Sequence, residues 1–140
     1  MFGLFKKKVG EPIEFGSPED AFGYACRNLE NRMLLEAVIP ALVEERRGTG
    51  PEGEQLFLVR LANREGGRLV EACTLKESFR SPGVGDLIGF RVVKIEPELP
   101  EPFDLLGFIA CRLQPVYVPG RGWRIAESFV PDNIKPTLRM

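Results

Sequence analysis

The residues that most often carry out chemistry in proteins are scarce in this chain of 140 residues, which contains no histidine. Ser–His and Cys–His nucleophile pairs are therefore impossible, and the commonest general base and metal ligand is missing. The three cysteines, Cys26, Cys73 and Cys111, are far apart and form no Cys-x-x-Cys pair. We expect reduced, mostly buried thiols, and we predict no metal and no cofactor.

Carboxylates are the remaining candidates for acid–base chemistry. They cluster at Glu44 and Glu45, and again in a proline-rich stretch that contains Glu96, Glu98, Glu101 and Asp104. The second cluster has the composition of a solvated connection. A histidine-free enzyme that uses carboxylates or a cysteine is therefore kept only as a second alternative, and no catalytic residue is assigned.

Three glycines, Gly83, Gly85 and Gly89, nearly reproduce the dinucleotide-binding fingerprint. The third glycine stands one position too late, and the residues that follow have the pattern of a strand rather than a helix. The stretch is more simply interpreted as a turn that leads into a strand.

Aromatic residues next to arginines could stack on bases and contact phosphates. Such pairs are Phe79–Arg80, Phe90–Arg91 and Trp123–Arg124. In a half-buried strand, however, alternation alone places a polar residue after each buried one.

The hairpin around Pro119–Gly122 is the exception, because hairpin tips are exposed and Trp, Tyr and Arg are frequent in binding hot spots. We predict a binding site there, formed by Tyr117, Arg121, Trp123 and Arg124.

The elements that would hold these residues are indicated first by a repeated pattern. DLIGFRVVKI at 86–95 matches DLLGFIACRL at 104–113, and both stretches are typical of β-strands. Only eight residues separate them, too few for the crossover of a parallel pair, so an antiparallel pair or a corner is predicted. If Ile95 faces Asp104, Gly89 faces Ala110 and Gly107 faces Val92, and the two glycines would allow bends or close contacts. The alternative is that the similarity is a coincidence.

One helix is predicted between Phe15 and Asn31. Ser17 is a good N-cap, Pro18 suits the first helical position, and Asp20 stands three residues after the cap. Asn31 could end the helix.

Five further strands are indicated. Met33–Glu45 contains Pro40, which predicts an edge or a bulge, and 46–54 reads as a loop. The pattern also predicts a hairpin of 55–63 with 68–77, and a terminal hairpin of 115–118 with 123–130.

The fold class predicted is α+β, mainly β: a small antiparallel, partly closed barrel or bent sandwich of five to seven strands with one N-terminal helix. Residues 1–10 are predicted as a flexible N-terminal tail, 11–130 as a single β-rich domain, and 131–140 as a C-terminal tail. We expect a cytoplasmic protein, because the three unpaired-looking cysteines are typical of reduced thiols. No apolar run is long enough to cross a membrane. The apolar part of MFGLFKKK is also too short for residues 1–8 to hold a membrane surface.

The function predicted is non-catalytic binding of another protein or of a second copy of the chain. The first alternative is OB-like binding of single-stranded nucleic acid. A net charge of −1 weighs against this alternative, because strong polyanion binders are usually basic.

Overall fold

A ring of five β-strands forms the body of the molecule in a computed structural model that describes residues 11–29, 38–74 and 81–125. The elements are β1 (Ile13–Glu14), α1 (Pro18–Arg27), β2 (Ile39–Thr49), β3 (Gln55–Leu61), β4 (Arg68–Thr74), β5 (Leu87–Ile95), β6 (Leu105–Val118) and β7 (Gly122–Ile125). Over these described residues, the prediction of a mainly β, α+β protein with one helix is confirmed. Within the described residues no helix is long and apolar enough to cross a membrane. The predicted tails at 1–10 and 131–140 lie outside the described residues.

The ring runs from β2 through β3, β4, β6 and β5 and returns to β2. All neighbours are antiparallel except β4 and β6, which are parallel from Glu71 opposite Leu106 to Thr74 opposite Ile109. The sheet is therefore mixed, whereas the sequence pattern predicted an antiparallel one. The parallel pair is possible because the connection between its strands includes all of β5, which is long enough for a crossover.

Alternate residues of the five strands point into the ring and form its core. This interior cluster consists of Ala41, Val43, Phe57, Val59, Leu61, Val70, Ala72, Ile88, Phe90 and Ile109. Successive side chains of a β-strand point to opposite faces, so every second side chain of each strand lies inside the ring.

Helix α1 forms a second core on the outer face of the ring. Ser17 caps it, because its hydroxyl accepts a hydrogen bond from the backbone N–H of Asp20 at 3.2 Å. Its apolar face, formed by Ala21, Phe22, Ala25 and Cys26, packs against β2, β5 and β6. The cap at the other end is Asn28, so the helix ends earlier than predicted, and Asn31 lies outside the described residues.

The repeated segments form the predicted antiparallel pair, β5 with β6. Gly107 faces Val92 as expected, but Ile95 faces Leu105 and Gly89 faces Cys111. The difference arises from irregularities in the ladder after Gly89 and after Val92, each of which shifts the register.

Other strand limits differ modestly from the prediction. β2 continues to Thr49, so the predicted loop of 46–54 shortens to the turn after that residue. Pro40 does not lie on an edge strand, because β2 is paired on both sides. It is the second residue of that strand.

The β3–β4 hairpin is confirmed, with Gly66 and Gly67 at positive φ in its turn. Residues 115–118 are not a separate strand but the end of the 14-residue β6, which pairs with β7 in the predicted terminal hairpin.

Candidate functional site

The two aromatic residues of the predicted site lie inside the molecule and not at an exposed tip. Tyr117 is 3% exposed and Trp123 is 8% exposed, and their ring centroids are 5.4 Å apart across the β6–β7 ladder. Phe15 packs on Trp123 at 5.6 Å, and Tyr24 of α1 packs on Tyr117 at 5.4 Å. The expectation of exposure is wrong because Phe15 and the α1 residue Tyr24 cover this face of the hairpin.

The two arginines of the predicted site, Arg121 and Arg124, are exposed. The structure therefore separates the four residues into a buried aromatic pair and two surface cations. The four side chains therefore do not share one exposed surface, and a binding role for the hairpin stays a prediction.

A different part of the molecule exposes apolar side chains. Seven large apolar residues are exposed in the described part of the chain, and six of them lie at the end of the β5–β6 hairpin. We call these six residues the hairpin patch: Val92, Val93, Ile95, Leu99, Phe103 and Leu106. Val84, 67% exposed, is the seventh and lies in the loop before β5. This concentration identifies the candidate site.

The hairpin patch exists because β5 extends beyond its pairing with β2. Residues 87–90 of β5 are buried, and the pairing with β2 ends where Ile39 faces Phe90. From Val92 to Ile95 every residue is exposed, and the irregularity between Val92 and Lys94 leaves Val93 without an opposite residue on β6. Two features of the sequence indicate this exposure. The apolar run in β5 lacks an alternation of apolar and polar residues, and the acidic loop after it contains further apolar residues.

Charged groups border the hairpin patch. Lys94 forms an ion pair with Glu96 at 2.8 Å, which raises the pKa of the lysine, and Arg68 pairs with Asp104. The hydrogen bond from Arg68 lowers the pKa of the Asp104 carboxyl. Glu101 accepts a hydrogen bond from the backbone N–H of Leu69 at 2.9 Å. With the exposed Glu98, the loop 96–104 contains four carboxylates, and the two cations beside them are Lys94 and Arg68.

A surface cleft of about 290 Å³ lies near the start of α1. Its residues include Pro18, Leu113 and the pair Asp86–Arg112, whose charged atoms are 3.6 Å apart. Asp86 also accepts a hydrogen bond from the N–H of Gly83 at 2.7 Å, so the carboxylate fixes the loop before β5. The residues that line the cleft include one carboxylate and no cysteine.

The carboxylate clusters and the cysteines do not come together. Glu44 lies on the surface in an ion pair with Arg60 at 2.8 Å. Burial raises the pKa of the thiols of Cys26, Cys73 and Cys111, in the last case to about 12. A thiol with a raised pKa is a poor nucleophile at neutral pH. Among the described residues, no group of three or more acidic or cysteine side chains is placed to hold a metal ion.

Comparisons with protein-family models, with curated proteins and with solved structures found no match to this chain.

Proposed function

We propose that this protein is a non-catalytic binding module that contacts another protein chain through the hairpin patch. The observation that supports the proposal is the concentration of exposed apolar side chains on one hairpin, from Val93 at 66% exposure to Val92 at 36%. Exposed apolar side chains that are concentrated in one part of a folded domain commonly mark a contact with another protein. Phe103, 39% exposed, supplies an aromatic side chain of the kind that is enriched at protein interfaces.

Nucleic acid is the less favoured ligand because the relevant loops are acidic. The ring resembles the OB fold, a five-stranded, partly open barrel that binds oligonucleotides with a sheet face and with the loops after its first and fourth strands. The corresponding loops here contain Glu52 and Glu54 after β2, and Glu96, Glu98 and Glu101 after β5. Carboxylates at these places repel phosphates, and a likeness of fold does not transfer a function.

The same carboxylates indicate the chemistry of the partner. An apolar centre with a charged border is the usual arrangement of a protein interface. Because acidic residues predominate in the loop 96–104, complementarity favours a partner whose contact residues are apolar and basic.

The test is a double substitution in the hairpin patch, Val93→Ser with Leu99→Ser. Both side chains are exposed, at 66% and 46%, so the fold should tolerate the change. Val84→Ser is the matched control, because Val84 is as exposed as Val93 but lies outside the hairpin patch. Partner recovery by affinity purification and self-association by sedimentation are measured for all three proteins, with circular dichroism as the check on folding.

We expect the double variant to lose at least about tenfold in affinity for its partner, which corresponds to about 1.4 kcal/mol. Wild type and Val84→Ser should behave alike. Equal partner recovery and equal association by all three folded proteins would show that the hairpin patch is not the contact surface.

A further inference from the structure

The chain itself contains a segment with the chemistry that the hairpin patch would bind. Residues 2–8 read FGLFKKK, in which Phe2, Leu4 and Phe5 precede three consecutive lysines. Building on the proposed function, we propose that residues 2–8 of one copy dock on the hairpin patch of a second copy, so that the chain associates head to tail.

Charge is the first argument for this pairing. The segment holds three of the six lysines of the chain and no carboxylate. The loop that borders the hairpin patch holds four carboxylates, of which Glu98 is exposed and Glu96 forms an ion pair with Lys94. An apolar and basic segment therefore meets an apolar surface bordered by acids, which is the arrangement that favours encounter and fixes orientation.

Reach is the second argument, and it selects a second copy over the same molecule. β1 pairs with the far end of β6, where Ile13 faces Tyr117, whereas Leu106 of the hairpin patch lies at the near end. Eleven residues of strand separate Leu106 from Tyr117, a path of about 36 Å at the usual rise. The six residues from Phe5 to Glu11 span at most about 21 Å when fully extended. Along β6, the chain before Glu11 is therefore too short to carry the lysines to the hairpin patch of the same molecule, whereas a second copy can bring its own hairpin patch to them.

The resulting contact uses two different surfaces, one from each copy. Such a heterologous contact leaves one free segment and one free hairpin patch on every open assembly, so the assembly either grows as an open chain or closes into a ring. The average mass should therefore rise with concentration, and the association should weaken as salt screens the lysine–carboxylate attraction.

A complementation experiment tests the pairing directly. The segment variant carries Phe5→Ser and Lys6→Glu, Lys7→Glu and Lys8→Glu, and retains the hairpin patch. The hairpin variant carries Val93→Ser and Leu99→Ser, and retains the segment. Sedimentation velocity is measured for wild type, for each variant alone and for an equimolar mixture, with Val84→Ser as the control.

We expect wild type and Val84→Ser to associate with rising concentration and each variant alone to stay monomeric. The mixture should form a complex of one copy of each variant and stop there, because only one intact segment and one intact hairpin patch meet. Wild type that stays monomeric at every concentration, or a mixture without this complex, overturns the inference.

The outcomes also separate this inference from the proposed function. If the hairpin variant loses a protein partner and the segment variant keeps it, the segment is not the occupant but the hairpin patch is still the contact surface. If residues 2–8 instead bind vesicles of phosphatidylserine and phosphatidylcholine, equally well in wild type and in the hairpin variant, while no self-association occurs, the inference is overturned in favour of a membrane. If neither variant changes any association, both proposals fail.

Discussion

Gly107 illustrates how a single residue shapes the ring. A Cβ atom at this position would lie 2.5 Å from Cζ of Phe90 and would overlap the carbonyl oxygen of Arg91. Gly89, its counterpart in the other copy of the repeat, would bring a Cβ atom within 2.8 Å of the sulfur of Cys111. Both glycines therefore make room for a neighbouring strand, which is the close approach that the repeat predicted.

We expect Gly107→Ala to lower the free energy of unfolding by roughly 1–3 kcal/mol, because the added methyl group overpacks the core against backbone. Urea denaturation measures the change. Gly83→Ala is the control, since its Cβ would lie 3.7 Å from the nearest atom, a carboxylate oxygen of Asp86, and should alter stability little. An unchanged midpoint for Gly107→Ala would mean that the strands can separate without cost.

The ion pair of Asp104 with Arg68 predicts a dependence of stability on pH. The hydrogen bond from Arg68 lowers the pKa of Asp104 in the folded state, so the carboxylate stabilises the fold above its ordinary pKa. That contribution disappears as the pH falls through the lowered value. Asp104→Asn should therefore be less stable than wild type at pH 7, and the difference should shrink in acid.

Urea titrations of both proteins between neutral and acid pH measure this difference. Glu98→Gln, a change in the same loop, serves as the control for a carboxylate outside this ion pair. A gap between wild type and Asp104→Asn that is constant with pH would contradict the assignment.

At the scale of secondary-structure elements, residues close together in the sequence are enough to predict where the helix starts. Its N-cap, its first proline and its early acidic residue lie within four positions, so the start of α1 could be predicted from sequence. Ser17→Ala should cost about 1 kcal/mol by removing the hydrogen bond to the N–H of Asp20. Chemical denaturation checks this value, and Ser17→Asp, which preserves an acceptor, should recover most of the loss.

The exposure of Tyr117 and Trp123 could not be predicted in the same way. Period-two alternation places side chains on one of two faces, but it does not say which face another element covers. Here the covering residues, Phe15 and Tyr24, are about a hundred positions away in the chain. The exposure of the hairpin patch could not be predicted in full for a related reason. Val93 is exposed because a neighbouring strand ends, and the type of residue at this position does not indicate where that strand ends.

At the scale of the whole molecule, the acidic loops give an expectation for nucleic acid. A fluorescently labelled single-stranded oligonucleotide should show no rise in anisotropy with added protein, even at low salt. Intrinsic fluorescence is a poorer probe, because the only tryptophan, Trp123, is buried away from these loops. Saturable binding that fades with salt would instead restore the nucleic-acid hypothesis.

The parallel contact between β4 and β6 has a consequence for the rate of folding. Like the β2–β5 pairing of Ile39 with Phe90, it joins residues that are far apart in sequence, such as Glu71 and Leu106. The β3–β4 and β5–β6 hairpins join near neighbours. Hairpins form in microseconds, but a contact of high sequence separation must first overcome the entropy of closing a long loop. Closure of the ring is thus the slow step of folding. A chain that has not yet reached this step would expose the β5–β6 hairpin without β4 paired beside it.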